Sequence, residues 1–416
     1  MSNVSPFQPK LLSKINERLV LKMIQERGPS TRSEVSKYIG VTFPTVAKAV
    51  SSLLESQLLE EMNDASAGPG RPAKRLRLAS EKSQVIGITL GGDECTLVAG
   101  DLNGNIHGES MLRFLTPTTY ELLLKEIETF GNRLINESGK KTLGVGISVP
   151  AVIDYRDQKV VLSANMPMVT DKSIGKDIQA ILGHECIIVR DAHAFSLAER
   201  LYGKAKDISN FAMLDLCDGI GLGLVVDGRF LTGDSGFAGE IGHNMIIPDG
   251  EMCVCGKRGC LESVASVWAV EKRMSGILER PVRITEVLQL AKSGNKQARQ
   301  ELERMCEYLA IGLAHIVNLL NPGTFFIYGR VFEELPELVT LLVKKTGQLA
   351  LQPSMAACEF VLASCSLQDG TVASVINYLT DALVPNLDSY LNSLSPAELA
   401  KSRAQEAVVQ DCATVG

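Results

Sequence analysis

A chain of 416 residues with 45% hydrophobic side chains is long enough for two or three domains with substantial cores. No apolar run approaches the ~18 residues of a membrane span, and the opening MSNVSPFQPKLLSK holds no apolar leader segment, so neither membrane insertion nor secretion is expected. The net charge of −6 is unevenly divided: residues 1–80 carry 12 Lys+Arg against 7 Asp+Glu, a net of +5, which leaves −11 on the remainder.

A basic head on an acidic body suggests two tasks, and nucleic acid is the first partner to test for the head. NERLVLKMIQER (residues 16–27) places Leu19, Met23 and Ile24 on one helical face, and Gly28-Pro29 ends that helix. Thr31 with Glu34 three residues on has capping-box spacing, and the short helix it opens stops at Gly40. A third helix begins at VTFPTVAKAVSSLLE, with Thr42 as N-cap and Pro44 in the first turn, where its missing N–H costs little. Val46, Val50, Leu53 and Leu54 share its inner face. Pro44, Thr45, Lys48 and Ser52 lie opposite, a composition suited to reading a major groove, although an ordinary solvated face has the same pattern.

Three helices of this kind, the last two around a tight turn, spell a helix-turn-helix. LLEE (58–61), the turn NDASAGPG and the basic run RPAKRLRL then read as the two strands and tip of a wing. Arg71, Lys74, Arg75 and Arg77 are its expected phosphate contacts, and Gly70-Arg71-Pro72 resembles a hook for a narrow minor groove. A solvated linker is the alternative.

After residue 83 the texture changes. QVIGITLGGDECTLVAGDLNGNI reads as a strand pair with Asn103-Gly104 as turn chemistry. KTLGVGISVPAVID is a buried strand, ECIIVRDAHAFSLAERLYG a strand running into a helix, and NFAMLDLCDGIGLGLVVDGRFL a second glycine-rich hairpin. Helical segments fill residues 260–320, and FFIYG is a late strand. The order hairpin, then strand–helix alternation, occurs twice, which predicts two α/β lobes around a cleft. Three of the ten cysteines fall in EMCVCGKRGCLE, close to His243; the other seven are scattered, as in a protein of the reducing cytoplasm.

GFAGEIGHNMIIPDGEMCVCGKRGCLE resembles the signature of the ROK family of repressors and sugar kinases: Glu-x-Gly-His, then Cys-x-Cys-Gly-x-x-Gly-Cys-x-Glu. The body elements recur in family order, and the head resembles that of the repressor branch. The resemblance implies an α/β, actin-like two-lobed sugar-kinase fold over residues 81–416, with a zinc loop at 240–262, behind an N-terminal winged helix-turn-helix at 1–80. It also implies that His243, Cys253, Cys255 and Cys260 bind one zinc. Three thiolates and an imidazole fill a tetrahedral site with no position left for water, so this zinc is expected to be structural.

The family's sugar-contacting positions match Asn165, Asp191, Glu240, His243 and Glu262, and in kinases the aspartate matching Asp191 is the general base. Departures accompany them. The family's Asn-Asp-Ala-Asn is Arg190-Asp191-Ala192-His193 here, and its Pro-Gly is Pro150-Ala151. The first phosphate loop, Asp-x-Gly-Gly-Thr in kinases, is Thr89-Leu90-Gly91-Gly92-Asp93; the second, Gly-Thr-Gly, is Gly219-Ile220-Gly221. The late strand ends Tyr328-Gly329-Arg330-Val331 instead of in several glycines. These losses weaken nucleotide binding together and leave Asp191 vestigial. The expected protein is a sugar-responsive repressor that binds a double-stranded operator as a homodimer or homotetramer. An ATP-dependent sugar kinase and a module controlled by a protein partner are the other classes. Arg190 brings a planar fork of donors suited to phosphate or carboxylate, so an anionic effector is an expectation, with a plain Arg190–Asp191 pair as the alternative. The tail SPAELAKSRAQEAVVQDCATVG has no assigned function.

Overall fold

The computed structural model describes residues 9–63, 74–155, 157–217 and 219–382. Arg71 and its flanking Gly70 and Pro72, and the C-terminal tail, lie outside the described residues.

The head contains α1 (Pro9–Arg27), β1 (Ser30–Thr31), α2 (Arg32–Ile39), α3 (Phe43–Glu55), β2 (Leu59–Asn63) and β3 (Lys74–Leu78). The three strands form one antiparallel sheet in the order β1-β3-β2. Thr31 and Glu34 form the capping box on α2, each side chain meeting the other's backbone N–H, and Gly40 closes the helix at φ 69°. Thr42 precedes α3, but its hydroxyl bonds Thr45 Oγ1 at 2.9 Å and caps no backbone N–H. On α1 the inward face is Val20, Met23 and Ile24, whereas Leu19, expected there, is 42% exposed.

The first lobe follows with β4 (Ser83–Thr89), β5 (Glu94–Gly100), β6 (Ile106–Leu115), α4 (Tyr120–Glu137), β7 (Lys141–Val149), β8 (Val152–Asp154), β9 (Lys159–Leu162), α5 (Ile174–Leu182) and β10 (Cys186–Arg190). α6 (Asp191–Leu201) leads to the second lobe: β11 (Phe211–Asp215), β12 (Gly221–Val226), β13 (Arg229–Phe230), α7 (Leu261–Ala265), α8 (Val267–Leu278), α9 (Ile284–Lys292), α10 (Lys296–Leu320), β14 (Thr324–Tyr328), α11 (Arg330–Glu334), α12 (Glu337–Leu349), α13 (Gln352–Ala356) and β15 (Glu359–Leu362). α14 (Leu367–Ala382) returns to the first lobe, where it packs on α6, β4 and β7.

The two central sheets have the same plan. The first runs β6-β5-β4-β7-β10 and the second β13-β12-β11-β14-β15; in each, three antiparallel strands precede two parallel additions. This is the duplication expected from the repeated strand order. It places the C-terminal ends of β4 and β11, and the loops that follow them, on opposite walls of one cleft. Each lobe has its own apolar core.

The head does not hang on a bare linker. Val20, Ile24, Val50 and Leu53 of the head share one buried cluster with Val85, Val98 and Leu102 of the first lobe and Val372, Val375 and Ile376 of α14. Both α6 and α14 begin at the cleft and end against this cluster, through Leu201 and Tyr202 at one end and Ile376 and Leu379 at the other. Their crossing is close: a Cβ on Gly370 would lie 2.5 Å from the Ala194 carbonyl carbon. Gly87 and Gly146 seat α14 on the sheet in the same way, against Thr371.

Candidate functional site

Three groups of residues carry chemistry: the outer face of α3, the cleft, and the loop after β13.

On α3, Thr42, Phe43, Pro44 and Lys48 are exposed, and Thr45 and Ser52 are half-buried. Phe43, 50% exposed, was not among the residues expected to matter. Its signal was available, because an aromatic residue at the start of a helix whose inner face is already filled by Val46, Val50 and Leu53 has nowhere to be buried. At the base of the hairpin the basic residues are engaged. Lys74 pairs with Glu61, as does Arg32; Arg75 donates to the Pro29 carbonyl at 2.9 Å; Arg77 bridges Glu60 and Glu81. Hydrogen bonds from Lys74 and Arg32 hold the Glu61 carboxyl below its ordinary range. Lys74 remains 60% exposed and Arg75 33% exposed at the side chain, so both still reach the surface.

The cleft has a volume of about 220 Å³ and is lined from both lobes. Asn165, Arg190, Asp191, Glu240, His243 and Glu262, singled out from sequence, all line it. Asp191 stands at the first position of α6, and Ser148 at the end of β7 donates to its Oδ1. Asp215, at the end of β11, also lines the cleft and was missed; the internal repeat could have found it, since it occupies the place in the second sheet that Thr89 occupies in the first.

Arg190 is buried, and its guanidinium reaches across to the second lobe. Nη1 donates to Glu240, and Nη2 donates to the Ala238 carbonyl at 2.6 Å and to His193 Nε2 at 2.9 Å. A guanidinium only donates, so His193 Nε2 accepts and Nδ1 carries the proton, which it offers to Tyr155 Oη at 3.1 Å. Burial and the Arg190 charge push the His193 imidazole down to about 3, keeping it neutral. The Tyr155 hydroxyl also accepts from the Arg190 backbone N–H at 3.2 Å. The strongest partner of Arg190 is thus Glu240, fifty positions away in sequence, and not the adjacent aspartate.

At the first phosphate-like loop, Asp93 pairs with Arg283 of the opposite lobe. At the second, the Ile220 backbone N–H donates to Glu262 Oε2 at 3.2 Å. Beside the late strand, Arg330 Nε is held by Glu334 at 2.6 Å.

His243, Cys253, Cys255 and Cys260 offer ligand atoms that all lie within 4.8 Å of one another, an arrangement able to hold a metal ion. Cys253 Sγ is 3.6 Å from His243 Nδ1, and Cys255 Sγ is 3.7 Å from Cys260 Sγ. The loop that brings them together turns at Gly256 and Gly259, both with positive φ. At Gly259 a Cβ would lie 1.6 Å from the Ile247 oxygen, so no side chain fits. His243 belongs to both groups, joining the cysteines through Nδ1 while lining the cleft.

The ROK family model matches residues 85–376. The xylose repressor of Bacillus spizizenii is 30% identical over 331 residues, 78% of this chain and 84% of the relative. The N-acetylglucosamine repressor of Escherichia coli O157:H7 is 24% identical over 335 residues, covering 78% and 82%. Among solved structures, a ROK family transcriptional regulator, a homolog of the E. coli MLC protein, superposes with a TM-score of 0.77 at 25% identity, covering 90% of this chain and 98% of its own. The ROK hexokinase of Thermus thermophilus superposes at 0.60 with 28% identity, covering 71% and 98%.

Proposed function

Because the chain belongs to the ROK family, we propose that it is a sugar-responsive, DNA-binding transcriptional repressor whose body is a kinase-derived sensor. The observation that carries this reading is one of coverage. A ROK kinase accounts for 71% of the chain with almost all of its own length, whereas a ROK regulator accounts for 90%. What the regulator adds to the kinase is of the size of the basic head. We read residues 1–80 as the DNA-binding unit and 81–416 as the sensor, in a cytoplasmic protein.

In this reading the head is a winged helix-turn-helix, and α3 enters the major groove. Phe43 and Thr45 supply apolar contact to thymine methyl groups, while Pro44, Lys48, Ser52 and Thr42 complete the reading face. Arg71, in the basic run RPAKRLRL, contacts phosphates together with Lys74 and Arg75. One such head covers half a site, so the working unit is a dimer or a dimer of dimers. Sugar bound between the lobes changes their closure, and α6 and α14 link the cleft to the core of the head. A sugar shifts the equilibrium only by its differential affinity for the two arrangements.

We assign the four-ligand cluster to zinc. With Zn–S near 2.3 Å, a regular tetrahedron has sulfur–sulfur edges of about 3.8 Å, and the Cys255–Cys260 separation is 3.7 Å. Bound there, zinc supplies a fixed cross-link with no open position. The protein's own contribution is to hold Glu240, His243 and Glu262 at the cleft wall.

The head is tested by fluorescence anisotropy of the full-length chain on duplex DNA. Affinity is expected to fall steeply with salt. Arg71→Ala weakens binding to specific and random duplexes alike, and Thr45→Ala costs about 1–3 kcal/mol on a preferred site and relaxes base preference. Lack of DNA affinity at low salt would overturn the repressor reading. The kinase alternative is tested by sugar-dependent ADP release. No turnover with common hexoses is expected, and Thr89→Asp alone does not restore it, because Asp93 still opposes polyphosphate. Robust phosphorylation by the unmodified chain would reverse the assignment.

A further inference from the structure

We infer that the cleft takes a single uncharged sugar ring and rejects sugar phosphates and sugar acids, because its anion-receptive positions are occupied by the chain's own carboxylates. The inference rests on the sugar-sensor reading and narrows it to one chemical class. It reverses the expectation that Arg190 marks an anionic effector.

Three positions carry the argument. The first is Arg190. A phosphate or carboxylate is gripped best by two parallel guanidinium N–H groups. Here Nη1 is committed to Glu240, and Nη2 to the Ala238 carbonyl and His193 Nε2. Three of the five N–H groups are thus used, and Nη2, which Nε and Nη1 would each need as the second member of a parallel pair, is spent; Nε, buried and without a partner, offers a single N–H that matches one hydroxyl oxygen. The second is the loop Gly219-Ile220-Gly221. Its Ile220 N–H, which a phosphate oxygen would require, already meets Glu262 Oε2. A Cβ on Gly219 would lie 2.7 Å from that same oxygen, so the carboxylate closes over the loop. The third lies outside the cleft lining: Asp93, exposed on the other phosphate-like loop, pairs with Arg283 across the lobes. Arg283 also reaches Glu271 at 3.4 Å.

The charge of the lining agrees. Among the described residues, Asp191, Asp215, Glu240 and Glu262 line the cleft against the single guanidinium of Arg190. An incoming anion meets repulsion, while sugar hydroxyls donate to carboxylates and accept from the remaining N–H. Thr89 Oγ1, buried at the cleft without a partner, is another group that a ligand hydroxyl can satisfy from either direction. The volume of about 220 Å³ lies below the ~300–1,000 Å³ of drug-sized ligands, so one ring fits and a ring with a nucleotide does not.

The test is isothermal titration of the full-length chain with xylose, glucose and N-acetylglucosamine, and with a phosphate ester of each. For whichever parent binds, its ester is expected to bind at least ~100-fold more weakly, the consequence of juxtaposing like charges. Glu240→Gln releases Arg190 from its carboxylate and is expected to narrow that ratio by roughly tenfold or more. An ester binding the unmodified chain as tightly as its parent overturns the inference and leaves the sugar-sensor reading standing. An unchanged ratio in folded Glu240→Gln overturns the role given to the Arg190–Glu240 pair. Binding of neither parents nor esters overturns the sugar-sensor reading itself.

Discussion

Cys255→Ser is expected to reduce the metal content of the purified protein from about one zinc per chain to none. Stability falls with it. The cluster closes a loop whose backbone turns twice through positive φ and whose walls approach too closely for a side chain at Gly259. Little apolar surface compensates, since Met245, Met252 and Val254 in this loop are all exposed. Metal binding and local folding are therefore coupled, and the binding free energy of a structural zinc, about 10–16 kcal/mol in small peptides, is largely a folding term. The loss is largest in the second lobe around Glu240 and Glu262, so sugar binding falls too. Metal analysis and thermal unfolding measured together check this. Folded, carefully purified protein holding no zinc would refute the assignment.

Glu199→Leu is expected to be the most damaging single change away from the metal. The Glu199 side chain is fully buried in α6 and accepts hydrogen bonds from the backbone N–H groups of Lys204, Ser364 and Cys365 and from the Ser364 hydroxyl. Leucine matches its bulk and removes every acceptor. Three N–H groups then lose their partner, at about 1–3 kcal/mol each. Thermal unfolding should drop by on the order of 10 °C, from a shift of ~2–4 °C per kcal/mol in a domain of this size. Glu199→Gln keeps a carbonyl acceptor and should lose roughly half as much. The damaged loop, residues 363–366, leads directly into α14, so a weakened sugar response in the glutamine variant is also expected.

Much of this was legible because it is local. Thr31 and Glu34, three positions apart, announce a capping box that the structure forms. The cysteine spacing and the nearby histidine announce the donor cluster, and the repeated strand order announces two sheets of one plan. What escaped depends on distant contacts. The partner of Arg190 lies fifty positions on, and that of Asp93 lies 190 positions away. Sequence proximity suggested Asp191 for the first; burial between two lobes selected Glu240 instead. The face of α1 was drawn one position off: Leu19 fits the periodicity, but the core it should meet is filled by Val20 and by residues of α14 and β5. Charge suggests a boundary near residue 80, whereas the apolar cluster shared by residues on both sides of it belongs to no local pattern. Phe43 shows the converse case, a residue whose exposure follows from the filled inner face of its own helix.

The central claim is that sugar binding in the cleft controls DNA binding by the head. The most direct measurement is the affinity of the full-length chain for an operator duplex selected from random sequence, titrated with the sugar that titration identifies. The account predicts that saturating sugar weakens operator binding by about 5–150-fold, the usual range of coupling between two sites, and that operator DNA weakens sugar binding by the same factor. Operator affinity unchanged by a sugar that demonstrably occupies the cleft would contradict it.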